Sequence, residues 1–138
     1  MSHGSQTLNR SRAGRILVCD DDRIMVRLVQ AQMERYGHAV TPSYSGLEAL
    51  QRLEEETFDL LILDVMMPGI DGFELLKHLR RDARTADLPV ILLTGRSNDE
   101  DVFNGYHLGA DVFLTKPVDF TELSVFVRSL IESGQTLD

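Results

Sequence analysis

The chain has 138 residues, 43% hydrophobic and 26% charged, the size and balance of one globular domain. Its net charge of −8 sets aside direct nucleic-acid binding, because phosphate contacts need clustered Lys and Arg. No apolar run reaches the roughly 18 residues of a membrane span and no secretory signal is present. The lone Cys19 cannot form an internal disulfide, which fits a reducing, cytoplasmic setting.

Residues 1–14, with Arg10 and Arg12 as their only charges, lack an apolar core. They are expected to be a flexible leader or an expression remnant ahead of a domain over 15–133 and a tail over 134–138. Residues 16–19 form the first apolar run. A helical pattern follows, with Met25, Leu28, Val29, Met33 and Tyr36 as its apolar positions and Gly37 as its stop. Residues 39–42 are a weaker strand. Ser45 and Glu48 offer a capping box for a second helix with Leu47, Leu50 and Leu53 inward.

Residues 60–63 (LLIL) are continuously apolar, as in a strand buried on both faces. A turn at Pro68-Gly69 leads to a helix over 72–81 with Phe73, Leu76 and Leu79 on one face. The fourth strand covers 89–94. Ser97 and Glu100 suggest a capping box for a fourth helix, which contains Gly105 and stops at Gly109. A strand over 112–114 and a helix over 119–133, with Leu123, Phe126, Val127, Leu130 and Ile131 inward, complete five β-α units. Their short connections predict a doubly wound (βα)5 α/β fold of three layers; the right-handed crossover rule leaves few arrangements of the parallel five-stranded sheet, of which order 2-1-3-4-5 is favoured.

Such sheets bind ligands beyond the carboxyl ends of their strands, where strand order reverses. Asp20-Asp21-Asp22 follow the first strand, Asp64 the third, Thr94 the fourth and Lys116 the fifth. Order 2-1-3 therefore gathers Asp20, Asp21 and Asp64 in one crevice beside Thr94 and Lys116. At about 4 Å and an effective dielectric near 20, each carboxylate pair repels by roughly 4 kcal/mol. The repulsion is relieved by proton uptake or by a cation, and hard oxygen ligands with room for water suit Mg²⁺. An acidic cluster, a cation, a lysine and a hydroxyl together make a phosphoryl site. Alone, Asp20–Asp22 would be a solvated loop and Asp64 a turn residue; Asp22 is expected to face solvent. His3, His38, His78 and His107 have no ligand spacing, and Cys19 reads as inert packing.

Four segments carry a family resemblance: ILVCDDDRIMVRLV, LLILDVMMPGIDGFELLKHLR, VILLTGR and GADVFLTKP. In this order and spacing they are similar to the signature segments of bacterial response-regulator receiver domains, over about 15–131. The resemblance implies a flavodoxin-like fold of the chemotaxis-regulator kind. Asp20 and Asp21 would organise Mg²⁺ or Mn²⁺ with Asp64 and the Met66 carbonyl. Asp64 would be the phospho-acceptor, Thr94 the switch hydroxyl and Lys116 the partner of the phosphoryl group. Phe113 stands where the family has its rotating aromatic, although a strand side chain there is also ordinary core. Pro117 would follow a cis bond, and Met66 and Arg96 would rim the acceptor.

The implied function is a phospho-accepting switch of a two-component phosphorelay, not an enzyme, that assists its own phosphorylation and dephosphorylation. Its state would be relayed through the fourth helix, fifth strand and fifth helix, with Gly105 softening the fourth helix. The implied partners are a sensor histidine kinase or histidine phosphotransfer protein, a downstream effector or linked output domain, and a second copy on phosphorylation. Neither nucleic acid nor membrane is implied as a direct partner. One rival is a small phosphatase like the haloacid dehalogenases, with Asp20 or Asp22 as nucleophile, although Arg23 and Ile24 replace its expected glycine and threonine. The other is a binding module that keeps the fold without phosphorylation.

Overall fold

A computed structural model describes residues 13–95 and 97–136. Nearly all of the leader expected over 1–14 lies outside these residues, as do Arg96 and the last two positions of the tail. Strands β1 (Arg15–Cys19), β2 (Ala39–Ser43), β3 (Leu60–Leu63), β4 (Val90–Thr94) and β5 (Val112–Thr115) alternate with five helices. These are α1 (Arg23–Arg35), α2 (Gly46–Glu55), α3 (Gly72–Arg81), α4 (Asp99–His107) and α5 (Phe120–Thr136). All strand pairs are parallel and the order is β2-β1-β3-β4-β5, as expected.

Alternation along the strands divides the core between two faces. Ile16, Val18, Leu60 and Ile62 pack with Val26, Val29 and Met33 of α1 and Leu123, Val127 and Ile131 of α5. Leu17, Cys19, Leu61 and Leu63 pack on the other face with Ala49 and Leu53 of α2 and Leu75, Leu76 and Leu79 of α3. Central β3 and β4 are buried throughout, whereas β5, at the edge, is only half-buried. Among the described residues no helix is long and apolar enough to cross a membrane.

Several helix faces differ from expectation. In α1 the buried row is Val26, Val29 and Met33, while Leu28 and Tyr36 are exposed. In α2, Leu47 is exposed and Ala49 takes the inward place. In α3, Leu75 joins Leu76 and Leu79 in the core, and Phe73 is partly buried. The apolar stripe is wider than the buried stripe, and which part faces the sheet is decided by packing direction. Helix α4 opens on Asn98, not Ser97: the Asn98 side chain accepts the Asp101 N–H at 2.8 Å. Asn caps a helix at least as well as Ser, so the start moves by one residue.

Candidate functional site

The carboxyl ends of the strands are tied to one another through the backbone. The Asp20 N–H donates to the Ser43 carbonyl at 3.2 Å, Asp64 N–H to Cys19 at 3.0 Å and Lys116 N–H to Thr94 at 2.9 Å. These bonds draw the chain just past β1, β3, β4 and β5 into one crevice. The turn after β3 is held equally closely. The Gly72 N–H donates to the Val65 carbonyl at 2.8 Å, and a Cβ on Gly72 would stand 2.7 Å from Val65 Cα. Only glycine lets α3 begin so near the Asp64 backbone. A full capping box, Asp71 with Glu74, then starts that helix. Neither feature was singled out in the sequence, although the D-x-x-E spacing of the box is legible there.

Asp20, Asp21 and Asp64 each present a carboxylate oxygen within 4.8 Å of the others. Asp20 and Asp64 are buried while Asp21 is exposed. Half-buried Lys116 extends its ammonium to Asp20 Oδ2 at 2.8 Å and Asp64 Oδ2 at 3.6 Å, so its nearer partner is Asp20. Burial pushes the Asp64 pKa up from its usual value. A hydrogen bond from the Thr94 side chain opposes this shift, the Asp20 charge adds to it, and Lys116 and the Met66 N–H oppose it more weakly. For Lys116, burial works against the charge, but the bond to Asp20 and the charge of Asp64 outweigh it and the pKa is raised.

Three carboxylates and one ammonium leave the crevice net negative, with mainly hard oxygen atoms facing inward. That donor set fits a divalent cation. Thr94 is fully buried and bonded to Asp64. Phe113 is packed against the core cluster of its face. The Lys116–Pro117 bond is cis, as the resemblance implied.

Other positions keep their expected character and gain specific contacts. Asp22 is exposed but also caps α1, accepting the Ile24 and Met25 N–H groups at 3.1 and 3.2 Å. Met66 is 59% exposed beside the acceptor, and its N–H donates to Asp64 Oδ1 at 3.4 Å. Arg96, its expected counterpart on the rim, lies outside the described residues. Cys19 is buried and its pKa is pushed up to about 12, chiefly by burial, which keeps it a thiol at neutral pH. His38 is buried at the amino end of β2, opposite the end of the sheet that carries the acidic crevice, with Nδ1 accepting the Gly14 N–H at 3.0 Å.

A parallel 2-1-3-4-5 sheet with clustered acids beyond β1 and β3 defines a class, and comparison with known proteins identifies it. The family model described as "Response regulator receiver domain" matches residues 16–128, and the chain belongs to that family. It is 42% identical over 120 residues to the transcriptional regulatory protein AfsQ1 of Streptomyces coelicolor, covering 87% of this chain and 52% of that protein. It is 40% identical over 117 residues to the DNA-binding dual master transcriptional regulator RpaA of Synechocystis, covering 85% of this chain and 48% of that protein. The chain thus spans about half the length of these curated relatives. A Francisella response regulator receiver domain superimposes with a TM-score of 0.82 at 33% identity, covering 88% of this chain and 98% of that one. A receiver domain protein of Methanospirillum hungatei gives 0.85 at 25% identity, covering 91% and 99%. Membership makes the domain a phospho-accepting signalling switch of the two-component type and sets aside the phosphatase and the non-phosphorylated module.

Proposed function

We propose that Asp64 accepts the phosphoryl group and that Thr94 and Lys116 serve it. The observation that carries this is a buried carboxylate that meets a buried hydroxyl and, at 3.6 Å, an ammonium, at the carboxyl edge of the sheet. The donor is a phosphohistidine of a sensor kinase or phosphotransfer protein. An Asp64 oxygen attacks phosphorus in line, the new O–P bond forms and the P–N bond breaks. The electron pair stays on the imidazole nitrogen, which then takes up a proton. Lys116 shifts from Asp20 towards the new phosphoryl oxygens, and Thr94 donates its hydroxyl to one of them.

Asp20, Asp21, Asp64 and the Met66 backbone carbonyl would hold Mg²⁺ or Mn²⁺. When bound, the ion supplies positive charge that neutralises phosphoryl oxygens. The domain is no enzyme towards a separate substrate; it assists only its own phosphorylation and dephosphorylation. The modified site biases a two-state equilibrium of the α4-β5-α5 face, which addresses an effector, an attached output domain or a second copy. Relatives about twice as long that are named transcriptional regulators support an attached output. Nucleic acid and membrane are not its direct partners, and it works in the cytoplasm.

Purified protein treated with acetyl phosphate and Mg²⁺ should gain one phosphoryl group on Asp64, read by intact mass and peptide mapping. Asp64→Ala should gain none. A label on Asp20 or Asp22 would sink the assignment.

A further inference from the structure

We propose that Tyr106 is a positioning residue: its hydroxyl holds α4 on the edge of β5 and keeps Phe113 inward, favouring the phosphoryl-accepting state. This rests on the phospho-acceptor reading above.

β5 closes the sheet at its open edge. Backbone N–H groups along a strand point alternately to its two sides. The Lys116 N–H faces β4, where it donates to the Thr94 carbonyl. Phe113 lies an odd number of residues away, so its N–H faces the open edge. There it donates to the Tyr106 hydroxyl at 3.1 Å. An edge amide would otherwise be left to water or to a passing strand.

The neighbouring residue on α4 holds the other end of Phe113. A Cβ built on Gly105 would lie 2.8 Å from Phe113 Cδ2 and 2.9 Å from Leu92 Cδ1. The aromatic ring therefore rests directly on the Gly105 backbone, where any side chain would displace it. Two consecutive helix residues thus grip one strand residue, Gly105 at the ring and Tyr106 at the amide. Phe113 is three residues from Lys116, and its registered neighbour Leu92 is two residues before Thr94. Moving α4 away would break the hydrogen bond from the Phe113 N–H and uncover the ring together, so the helix and the aromatic move as one unit. Tyr106 itself is 48% exposed, so its ring contributes little to the core and its hydroxyl supplies the specific contact.

A ligand that prefers one of two states loses affinity when that state is depopulated. Loss of one hydrogen bond predicts that Tyr106→Phe weakens beryllofluoride binding by about two- to tenfold at saturating Mg²⁺. In the same variant the Phe113 amide should exchange with solvent faster, while the urea midpoint stays near that of wild type. In a Phe113→Ala background, Tyr106→Phe should leave beryllofluoride affinity unchanged, because the aromatic through which it acts is gone. A purely structural tyrosine would weaken both backgrounds alike, and that result overturns the proposal. So does equal affinity of wild type and Tyr106→Phe. Wild type that binds no beryllofluoride at all would fail earlier, by removing the phospho-acceptor reading and the proposal with it.

Discussion

Aspartates occupy both ends of the sheet, and the two ends treat them in opposite ways. At the amino ends of β3 and β5, Asp59 accepts the Arg15 N–H at 2.7 Å and Asp111 accepts the Val90 N–H at 2.8 Å. Arg80 adds a guanidinium at 3.5 Å from Asp111 and donates to the Gly109 carbonyl at 2.8 Å. There the carboxylates act as ties between strands. At the carboxyl ends of β1 and β3, Asp20 and Asp64 face each other and Asp21, with Lys116 shared between two of them. The same side chain stabilises one end of the fold and strains the other. The strained end is the one that can bind a cation and a phosphoryl group.

The contrast predicts that function and stability separate cleanly. The largest effect is on phosphorylation: Asp64→Ala should abolish labelling by acetyl phosphate, while Asp59→Ala should leave its rate within about twofold, since a lost surface tie is worth little at the distant site. Comparable loss in both variants would erase the distinction between the two ends.

Stability should change in opposite directions. Asp111→Ala leaves the Val90 N–H without its acceptor and should cost about 1–3 kcal/mol in urea unfolding. Without divalent cation, Asp64→Ala removes a repelled charge and should gain about 1 kcal/mol. Mg²⁺ at a hundred times its Kd should add about 2.7 kcal/mol to wild type and much less to Asp64→Ala. A loss of stability in Asp64→Ala, measured without metal, would show that the crevice is not strained.

Smaller effects sharpen the picture at each end. At the carboxyl end, exposed Met66 lies two residues beyond Asp64 with an apolar chain that cannot orient water. Met66→Asn should speed loss of the phosphoryl group by roughly two- to tenfold, the worth of one new hydrogen bond to the attacking water. A decay rate equal to wild type would show that this position does not gate water.

At the amino end the expected effect is a pH dependence. Burial lowers the His38 pKa below 6.5, with Asp59 partly opposing. The unfolded chain then binds the proton more readily than the folded one. The stability tied to neutral His38 is complete above pH 6.5 and is lost as the pH falls from 6.5 towards the lowered value. Urea midpoints for wild type should therefore drop between pH 7.5 and 5.5. The drop should shrink in His38→Gln, and an equal drop would assign it to another group.

Much of this was legible in the residues. The run LLIL marked a strand buried on both faces, because such a strand needs no polar alternation. Ser45 marked the start of α2, and Gly37 and Gly109 the ends of α1 and α4. Handedness narrowed the strand order to a few arrangements, and the gathering of Asp20, Asp21, Asp64, Thr94 and Lys116 followed from the favoured one.

What the sequence could not decide depends on direction and distance in three dimensions. Leu28 and Val29 are equally apolar neighbours, yet only Val29 meets the sheet, because the roll of α1 is set by what it packs against. Lys116 was placed in the crevice by position alone; that it sits closer to Asp20 than to Asp64 is a matter of side-chain reach. Gly72 looks like an ordinary glycine, and Gly105 like a soft point of its helix, until the backbone of Val65 and the ring of Phe113 are found against them. The hydroxyl of Tyr106 gains its partner only because β5 is the edge strand and turns the Phe113 N–H outward. Local sequence determined which elements form and what chemistry their ends carry, since both depend on near neighbours. Packing alone decided which faces meet and which groups touch, since those contacts join residues far apart in the chain.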